Sequence, residues 1–485
     1  MRGFLASSIG VVCTAALALP LACASPVMAA PAAPAKPAAS VSPHGSAVRG
    51  TTQSLPLVPL SPLVGPIRGM AATPGGGHLA APDIQGLPAR DVETFSMVGV
   101  VWDDAASELH GQVHVRTRDA ESGGWSPWQE LQTHNREHAA DPDDVERASG
   151  RVRGSTAPLW VGPSDAVEVR VEAEAEAEAA DQTGPGRLPS GMRIELIDPG
   201  ESPVPEPPAG GDPAGTPPPA GDPADDSKNQ ASNAALGMAA AEASAANFPL
   251  ATLGADAIQP LNKADATADA VFAADGSVTF GAKPYIGPRP RIITRKGWGA
   301  DEKLRESSFL YTGSVKAAFV HHSATGNNYT CAQAPAVIRS IYRYHVVSSG
   351  WRDIGYNFLV DKCGNIYEGR AGGVAKAVQG AHTLGFNSNS MGVVVLGTYT
   401  STSPSAAATT SVAKLTAWKL GLFGANPAAK TTLVSAGGGR YAKGKSVKMN
   451  VISGHRDGFA TECPGTRLYG KLGATRTSSA KLQGR

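Results

Sequence analysis

The segment Met391-Gly-Val-Val-Val-Leu-Gly397 contains a continuous apolar run of strand length, Gly392–Leu396. Such a run is typical of a central strand that is buried on both faces of a sheet. Two further apolar segments, Ala317–His321 and Phe358–Asp361, predict neighbouring strands. A Cys-Gly turn then leads into a predicted strand over Ile366–Glu368. Helical patterns separate these strands, so the sequence predicts an α/β fold with a mixed central sheet flanked by helices.

Two helices are predicted beside this sheet. Thr330 is a typical N-cap, and Pro335 stands in the first turn of the amphipathic pattern that follows it. A second helical pattern runs from about Ser411 to Phe423 and ends at Gly424.

Potential metal ligands lie at the edge of this predicted core. The strand Ala317–His321 is followed by a second histidine, His322, and a loop further along the chain places His455 eight residues before Cys463. Two imidazoles and one thiolate, with a fourth position left to water, are the pattern of a catalytic zinc site. Alternation puts His321 and His322 on opposite faces of the strand, so the pattern alone leaves open which of them binds the metal.

The N-terminal residues predict an exported protein. A basic residue, an apolar run and small residues follow one another over residues 1–30, as in a signal peptide. Lipidation at Cys23 is an open alternative. The apolar run is too short and too rich in alanine for a stable membrane span. We therefore expect a secreted protein without a stable membrane span.

Composition and alternation divide the rest of the chain into domains and linkers. Alternating valines near residues 113–117 and 167–171 predict half-buried strands. Tryptophans in that region fit either core packing or a platform for sugar rings. The predicted order is a signal peptide over 1–30, a disordered Ala/Pro-rich arm over 31–91, a separate N-terminal β-sandwich domain over 92–198, a disordered Pro/Ala-rich linker over 199–282, the metal-binding domain over 283–473 and a basic tail over 474–485.

Cysteine counting supports a single disulfide. Two of the five cysteines fall in the predicted signal, which leaves Cys331, Cys363 and Cys463. An odd number in an exported protein needs an explanation. The simplest one is a Cys331–Cys363 disulfide and a zinc-bound thiolate at Cys463.

The charges of the two halves are opposite. Residues 283–485 contain 27 basic and 8 acidic residues, whereas residues 1–282 contain 16 basic and 34 acidic residues. A basic domain favours a polyanionic partner. The acidic half can alternatively screen the basic half, or cover its catalytic face. Because no aromatic-basic motif appears and export is predicted, we do not expect nucleic acid as the partner.

Residues 288–472 resemble the peptidoglycan recognition protein and phage-lysozyme type family of zinc N-acetylmuramoyl-L-alanine amidases. The blocks that carry the resemblance occur in the family's order and include Val320-His-His-Ser-Ala324, Gly350-Trp-Arg-Asp-Ile-Gly-Tyr-Asn-Phe358, Ile366-Tyr-Glu-Gly-Arg370, Gly380-Ala-His-Thr383, Gly454-His-Arg-Asp457 and Thr461-Glu-Cys-Pro-Gly465. The resemblance implies that the metal ligands are His321, His455 and Cys463, and that the cofactor is Zn²⁺.

The same resemblance assigns further roles. Tyr356 and Thr461 are implied as catalytic residues, with a neutral threonine at the position where the phage enzymes carry a lysine. The implied substrate-binding residues are His345, Arg370, His382 and Asn387. Each of these four residues also has a structural interpretation, for example pairing of Arg370 with Glu368.

The function implied by the resemblance is hydrolysis of the lactyl–L-alanine amide bond of peptidoglycan in the cell wall. Family members that bind peptidoglycan without cleaving it commonly lack the zinc cysteine, which is present here as Cys463. A non-catalytic peptidoglycan receptor or wall-anchoring module and a different zinc hydrolase are the alternatives. We expect the protein to be a monomer with the muropeptide of peptidoglycan as its partner.

Overall fold

The N-terminal domain is an antiparallel β structure built around two long strands. The computed structural model describes residues 50–60, 83–174, 188–201, 237–248, 250–273 and 285–485. The two long strands, Ile84–Trp102 and Leu159–Ala173, pair with several register shifts. Such irregularities are β-bulges, which bend a sheet. The eight strands are Thr52–Pro56, Val58–Pro59, Ile84–Trp102, Gly111–Asp119, Gln129–Leu131, Gly154–Ser155, Leu159–Ala173 and Arg193–Ile197.

Alternating valines fill the core of this domain, as the period-two pattern predicts. Val113 and Val115 pack with Val167, Val169 and other apolar side chains in one buried cluster. The separate N-terminal β domain is therefore confirmed. Of the four tryptophans in the domain, Trp102 and Trp160 are buried, whereas Trp125 and Trp128 are exposed on either side of Arg116.

The structure corrects the prediction of a disordered arm over 31–91. Thr52–Pro56 pairs with Arg193–Ile197, and Val58–Pro59 pairs with the start of the long strand Ile84–Trp102. The partner of the first strand lies about 140 residues away along the chain, so local composition does not reveal the pairing. The predicted signal peptide over 1–30 lies outside the described residues.

The C-terminal domain contains the predicted mixed sheet. Its central strand, Ser390–Val395, lies between Ala317–His322 and Phe358–Val360 and is parallel to both. All residues of these three strands are buried. The order across the seven-stranded sheet is Ile452–Gly454, Ala317–His322, Ser390–Val395, Phe358–Val360, Ile366–Glu368, Ile292–Ile293 and Ala257–Ile258, and a separate hairpin pairs Lys430–Val434 with Ser446–Asn450.

Helices cover this sheet and support the edge that carries the ligands. The helices and helical turns are Lys263–Ala273, Arg295–Trp298, Cys331–Gln333, Ala334–Arg343, Tyr344–Ser348, Ala406–Leu422, His455–Gly458, Thr466–Tyr469 and Leu472–Gln483, with two short 3₁₀ turns, Arg136–His138 and Arg147–Ser149, in the N-terminal domain. Thr330 forms the expected N-cap, within a capping box. A disulfide joins Cys331 to Cys363. None of the helices in the described residues is long and apolar enough to cross a bilayer.

Two further boundaries differ from the prediction. The segment predicted as a linker over 199–282 contains a helix at 237–245 and the strand Ala257–Ile258, which extends the mixed sheet by pairing with Ile292–Ile293. The predicted basic tail forms most of the helix Leu472–Gln483, in which the amide of Gln483 donates to the carbonyl of Ala417. Composition obscures both elements because their stability comes from tertiary packing rather than local propensity. Residues 202–236 of the predicted linker lie outside the described residues.

The two domains share a hydrophobic cluster. Met97 and Trp160 from the β domain pack with Val337, Ile341 and Tyr344 from the C-terminal domain. The hydroxyl of Tyr344 also donates to the carbonyl oxygen of Thr156 at 3.0 Å. The β domain is thereby docked beside the edge of the sheet that carries the histidines.

Candidate functional site

Two adjacent parallel strands bring the predicted histidines together. Ala317–His322 pairs with Ile452–Gly454, so that Val320 lies opposite Gly454. Because parallel neighbours end at the same edge of a sheet, the next residues, His321 and His455, become neighbours. Their ring centroids are 4.5 Å apart, and both side chains are buried.

Cys463 distinguishes between the two adjacent histidines. Its Sγ lies 3.8 Å from Nδ1 of His321. His322 contributes only its backbone, whose N–H donates to the same sulfur at 3.4 Å. The ring Nδ1 of His322 instead accepts from the backbone N–H of Tyr399. The cluster of potential metal ligands therefore contains His321 and not His322.

The remaining ring nitrogens of the two cluster histidines have polar neighbours. Nε2 of His321 lies 3.4 Å from the hydroxyl of Thr383, and Nε2 of His455 lies 3.2 Å from the carbonyl oxygen of Glu137. Contacts of this kind fix the orientation of metal-binding imidazoles. They leave Nδ1 of each ring for the interior of the cluster.

A fourth side chain enters the cluster from the β domain. His138 lies in the loop between the strands Gln129–Leu131 and Gly154–Ser155. Its ring centroid is 4.5 Å from that of His455 and 5.5 Å from that of His321. The ligand atoms of His138, His321, His455 and Cys463 all lie within 4.8 Å of one another.

Burial sets the protonation of these groups. It lowers the pKa of His138 to about 4 and holds the pKa of His321 and His455 well below the usual range. The three imidazoles are therefore neutral at pH 7, as metal binding requires. Burial also raises the pKa of the Cys463 thiol. A metal ion would supply the positive charge that a buried thiolate needs.

The donor set fits a divalent metal ion. Within the described residues, Nδ1 of His455 and both ring nitrogens of His138 are buried without a hydrogen-bond partner, as is Nε2 of the neighbouring His322 and His382, and only the first two residues belong to the cluster of potential ligands. Buried polar atoms in proteins are normally paired. Neutral imidazoles next to a thiol form a set of nitrogen and sulfur ligands. A bound metal would therefore satisfy Nδ1 of His455 and one ring nitrogen of His138.

The two residues predicted as catalytic lie beside this cluster. Tyr356 is buried, with its ring centroid 5.5 Å from that of His321. The Thr461 hydroxyl accepts from the backbone N–H of Cys463 at 3.1 Å. It also donates to a carboxylate oxygen of Glu137 at 2.8 Å, a contact that the sequence did not indicate.

Two of the four predicted substrate-binding residues contact the β-domain loop. Arg370 forms two hydrogen bonds with the buried carboxylate of Glu146, at 2.8 and 3.1 Å, rather than pairing with Glu368. The amide nitrogen of Asn387 donates to Asp141 at 2.8 Å and to the carbonyl of Ala139 at 3.0 Å. The loop therefore engages both side chains through complementary polar groups.

The other two predicted binding residues belong to the wall of the site. The ring of His345 stacks near Trp351 at 4.3 Å and accepts from the backbone N–H of Gly355. His382 lies 5.3 Å from His321 between ring centroids, and its Nδ1 is 3.0 Å from the Thr383 hydroxyl. Burial lowers the pKa of both imidazoles to about 3, so they are uncharged at neutral pH.

Sequence reasoning did not identify the loop residues Glu137, His138, Asp141 and Glu146. The local signal is a histidine followed by an acidic cluster, Asp141-Pro-Asp-Asp144, in a segment without periodicity. Exposed loops commonly have this composition. Only the burial of these polar side chains distinguishes them, and burial here depends on the other domain.

Two family profiles match the chain. The profile described as Rv3811 N-terminal galactose-binding domain-like matches residues 42–187, and that described as N-acetylmuramoyl-L-alanine amidase matches residues 311–466. The first match begins well before residue 92, in agreement with the strands found near residue 52.

Known proteins resemble the C-terminal part. Peptidoglycan-recognition protein SC2 of Drosophila melanogaster is 33% identical over 198 residues, which cover 40% of this chain and 91% of that protein. The human N-acetylmuramoyl-L-alanine amidase is 34% identical over 188 residues, which cover 38% of this chain and 28% of that protein. Among solved structures, wild-type PGRP-LB of Drosophila is 27% identical, with 38% and 92% coverage and a TM-score of 0.30.

Proposed function

Because the chain belongs to the family of peptidoglycan-recognition proteins and N-acetylmuramoyl-L-alanine amidases, we propose that it is a zinc-dependent amidase of peptidoglycan. It would hydrolyse the amide bond between the lactyl group of muramic acid and L-alanine. The observation that carries this proposal is the buried cluster of His321, His455 and Cys463 beside Tyr356. We further propose that the protein is secreted and acts at the cell wall.

The proposed reaction adds one water molecule across the amide. A C–O bond forms, the C–N bond breaks, and the nitrogen of L-alanine leaves with a proton. When bound, zinc would polarise the scissile carbonyl and supply hydroxide at neutral pH. His321, His455 and Cys463 would hold the ion.

The chain's own residues would assist at the reacting atoms. Burial and the nearby Cys463 and Glu137 raise the pKa of Tyr356, so its hydroxyl keeps its proton and can donate to the developing oxyanion. A well-placed donor of this kind contributes about 3–4 kcal/mol to the transition state. The Thr461 hydroxyl would orient the attacking water. Arg370 and Asn387 would bind the peptide portion of the substrate.

Mass spectrometry of digested cell-wall fragments tests the proposal. We expect the full chain, or a Glu146→Gln variant in which the loop loses its charge pair with Arg370, to release stem peptides that begin with L-alanine. A chelator should stop the release, zinc should restore it, and Cys463→Ala should lose both zinc and activity. Absence of release from both proteins contradicts the amidase, and peptidoglycan binding without release would indicate a non-catalytic receptor.

A further inference from the structure

His138 has the position and environment of a metal ligand. It is 5% exposed, and neither ring nitrogen has a hydrogen-bond partner in the described part of the chain. A buried imidazole without partners is costly unless something compensates it. His138 forms a cluster with His321, His455 and Cys463. A shared metal ion would take one ligand atom from each of the four side chains, including one of the two unpartnered nitrogens of His138.

A fourth protein ligand would change the character of the site. Zinc sites with three protein ligands keep one position for water or substrate, whereas sites with four protein ligands are closed and structural. The triad of His321, His455 and Cys463 belongs to the first class. Addition of His138 converts it into the second.

The rest of the loop occupies groups that a substrate would need. Glu146 neutralises the buried guanidinium of Arg370. Asp141 and the carbonyl of Ala139 accept from the side-chain amide of Asn387. These contacts come from an acidic peptide segment lying in a basic domain, so charge complementarity favours the covered arrangement.

The loop also engages the reacting end of the site. Glu137 accepts from the hydroxyl of Thr461, and its backbone carbonyl oxygen also accepts from the backbone N–H of Leu384 at 2.9 Å. The cavity beside His138 and Tyr356 has a volume of only about 10 Å³. That is room for about one water molecule. Ligand-binding pockets commonly measure about 300–1,000 Å³, so a muropeptide requires displacement of the loop.

We propose that residues 135–147 form an inhibitory plug, and that His138 is a fourth metal ligand which closes the coordination sphere until the plug withdraws. Latency of hydrolysis rests on the proposed amidase function, whereas ligation by His138 does not. In the latent state, the site is thus occupied by the chain's own acidic loop.

Cobalt substitution tests ligation independently of activity. The visible spectrum of bound Co²⁺ reports its ligand set and coordination number. We expect azide to leave the spectrum of the wild-type Co²⁺ protein unchanged and to alter that of His138→Ala, whose fourth position is open. The Kd for Zn²⁺ should rise by at least about 10-fold in His138→Ala, the lower end of the effect of losing a supporting partner. His134→Ala, an exposed histidine in the same loop, is the matched control and should behave as wild type.

Release of the plug without alteration of the ligands tests latency. Glu146→Gln leaves Arg370 buried without its charge partner only while the plug is seated. The equilibrium between seated and withdrawn plug should therefore shift toward withdrawal on the order of 100-fold. The rate of hydrolysis of a soluble muropeptide should rise in proportion until the plug is fully withdrawn. Asp143→Asn removes the same charge from an exposed position of the loop, where Asp143 pairs with Lys443, and should change the rate by less than about 5-fold, because exposed ion pairs contribute little.

The outcomes separate the two proposals. Identical cobalt spectra and equal azide responses for wild type and His138→Ala would overturn ligation by His138. Measurable hydrolysis at equal rates by wild type, His138→Ala and Glu146→Gln would overturn the plug. An azide response gained by His138→Ala, with no hydrolysis by any variant, would support the fourth ligand and contradict the amidase function. Because Glu146→Gln retains all ligands, its result also stands if His138→Ala folds poorly.

Discussion

The floor of the proposed metal site and the loop that covers it are both buried, but different forces hold them. The floor is the edge of a seven-stranded sheet whose central strands are packed on both faces by apolar side chains. None of the hydrophobic clusters found in the described residues contains a residue from 132–153. The covering loop is fixed by ion pairs and hydrogen bonds instead, such as Glu146 with Arg370.

This difference separates a permanent structure from a replaceable one. Apolar packing has no alternative partner in water, so the floor persists as long as the domain is folded. Polar contacts of the loop can be exchanged for contacts with water or with a charged substrate. The site is thus assembled by one kind of interaction and covered by another, which permits the cover to leave without unfolding the floor.

The largest expected effect is loss of a ligand from the floor. In the Glu146→Gln background, His321→Gln should weaken zinc binding and lower hydrolysis by more than about 1,000-fold, because the metal supplies several kcal/mol of transition-state stabilisation. The adjacent His322→Gln is the matched control, since the ring of His322 accepts from Tyr399 rather than facing the cluster. Metal analysis and hydrolysis assays check both variants. Loss of zinc from His322→Gln alone would reverse the ligand assignment.

The second prediction concerns the oxyanion donor. In the Glu146→Gln background, Tyr356→Phe should retain zinc, because no ligand is removed, and should lower kcat by about 100- to 1,000-fold, because the donor to the oxyanion is lost. Tyr441→Phe, at a tyrosine outside the cluster, should have no such effect. Steady-state kinetics with zinc analysis distinguish this outcome from metal loss. An unchanged kcat would show that Tyr356 does not take part in the reaction.

The third prediction is a pH dependence of the free energy of unfolding, caused by the buried carboxyl group of Asp141. Burial raises the pKa of Asp141 from 3.8 to about 6. The native carboxyl therefore binds more protons than the unfolded one between about pH 4 and pH 6, so its contribution lowers the free energy of unfolding as pH rises through that window. The decrease should be on the order of 2 kcal/mol.

Denaturant titrations at several pH values measure this dependence. Asp141→Asn should remove it, because the amide carries no titrating proton and still offers a carbonyl oxygen to Asn387. Asp143→Asn, at the exposed position in the same loop, should retain the wild-type slope. A wild-type slope in Asp141→Asn would assign the dependence to another carboxyl group.

The smallest expected effect concerns the docking of the two domains. Tyr344→Phe removes the hydrogen bond to Thr156 and should weaken docking by about 1 kcal/mol, which would raise hydrolysis by up to about 5-fold. Tyr342→Phe removes a bond of the same length, to Asp301 within the C-terminal domain, and should lower stability without raising hydrolysis. Equal hydrolysis rates for the two variants would show that docking of the two domains does not affect how the loop covers the site.

Much of the floor was predictable because its signals are local. The apolar run around Val394 and the cap at Thr330 both appear in the structure as expected. The loop was not predictable, because acidic residues in an aperiodic segment have the same local pattern whether they face water or a buried arginine. The early strand Thr52–Pro56 was missed for a related reason, since its partner is remote along the chain.

The sequence by itself determined the α/β class, indicated the Cys331–Cys363 disulfide and limited the candidate ligands of the C-terminal domain to His455, Cys463 and one of the adjacent histidines His321 and His322. It could do so because strand patterns and ligand chemistry are properties of short segments. Only the tertiary structure decided that His321 rather than His322 faces Cys463, and that His138 joins them from another domain. Those choices depend on which buried polar atoms meet, and that is fixed by the packing of distant segments rather than by any local pattern.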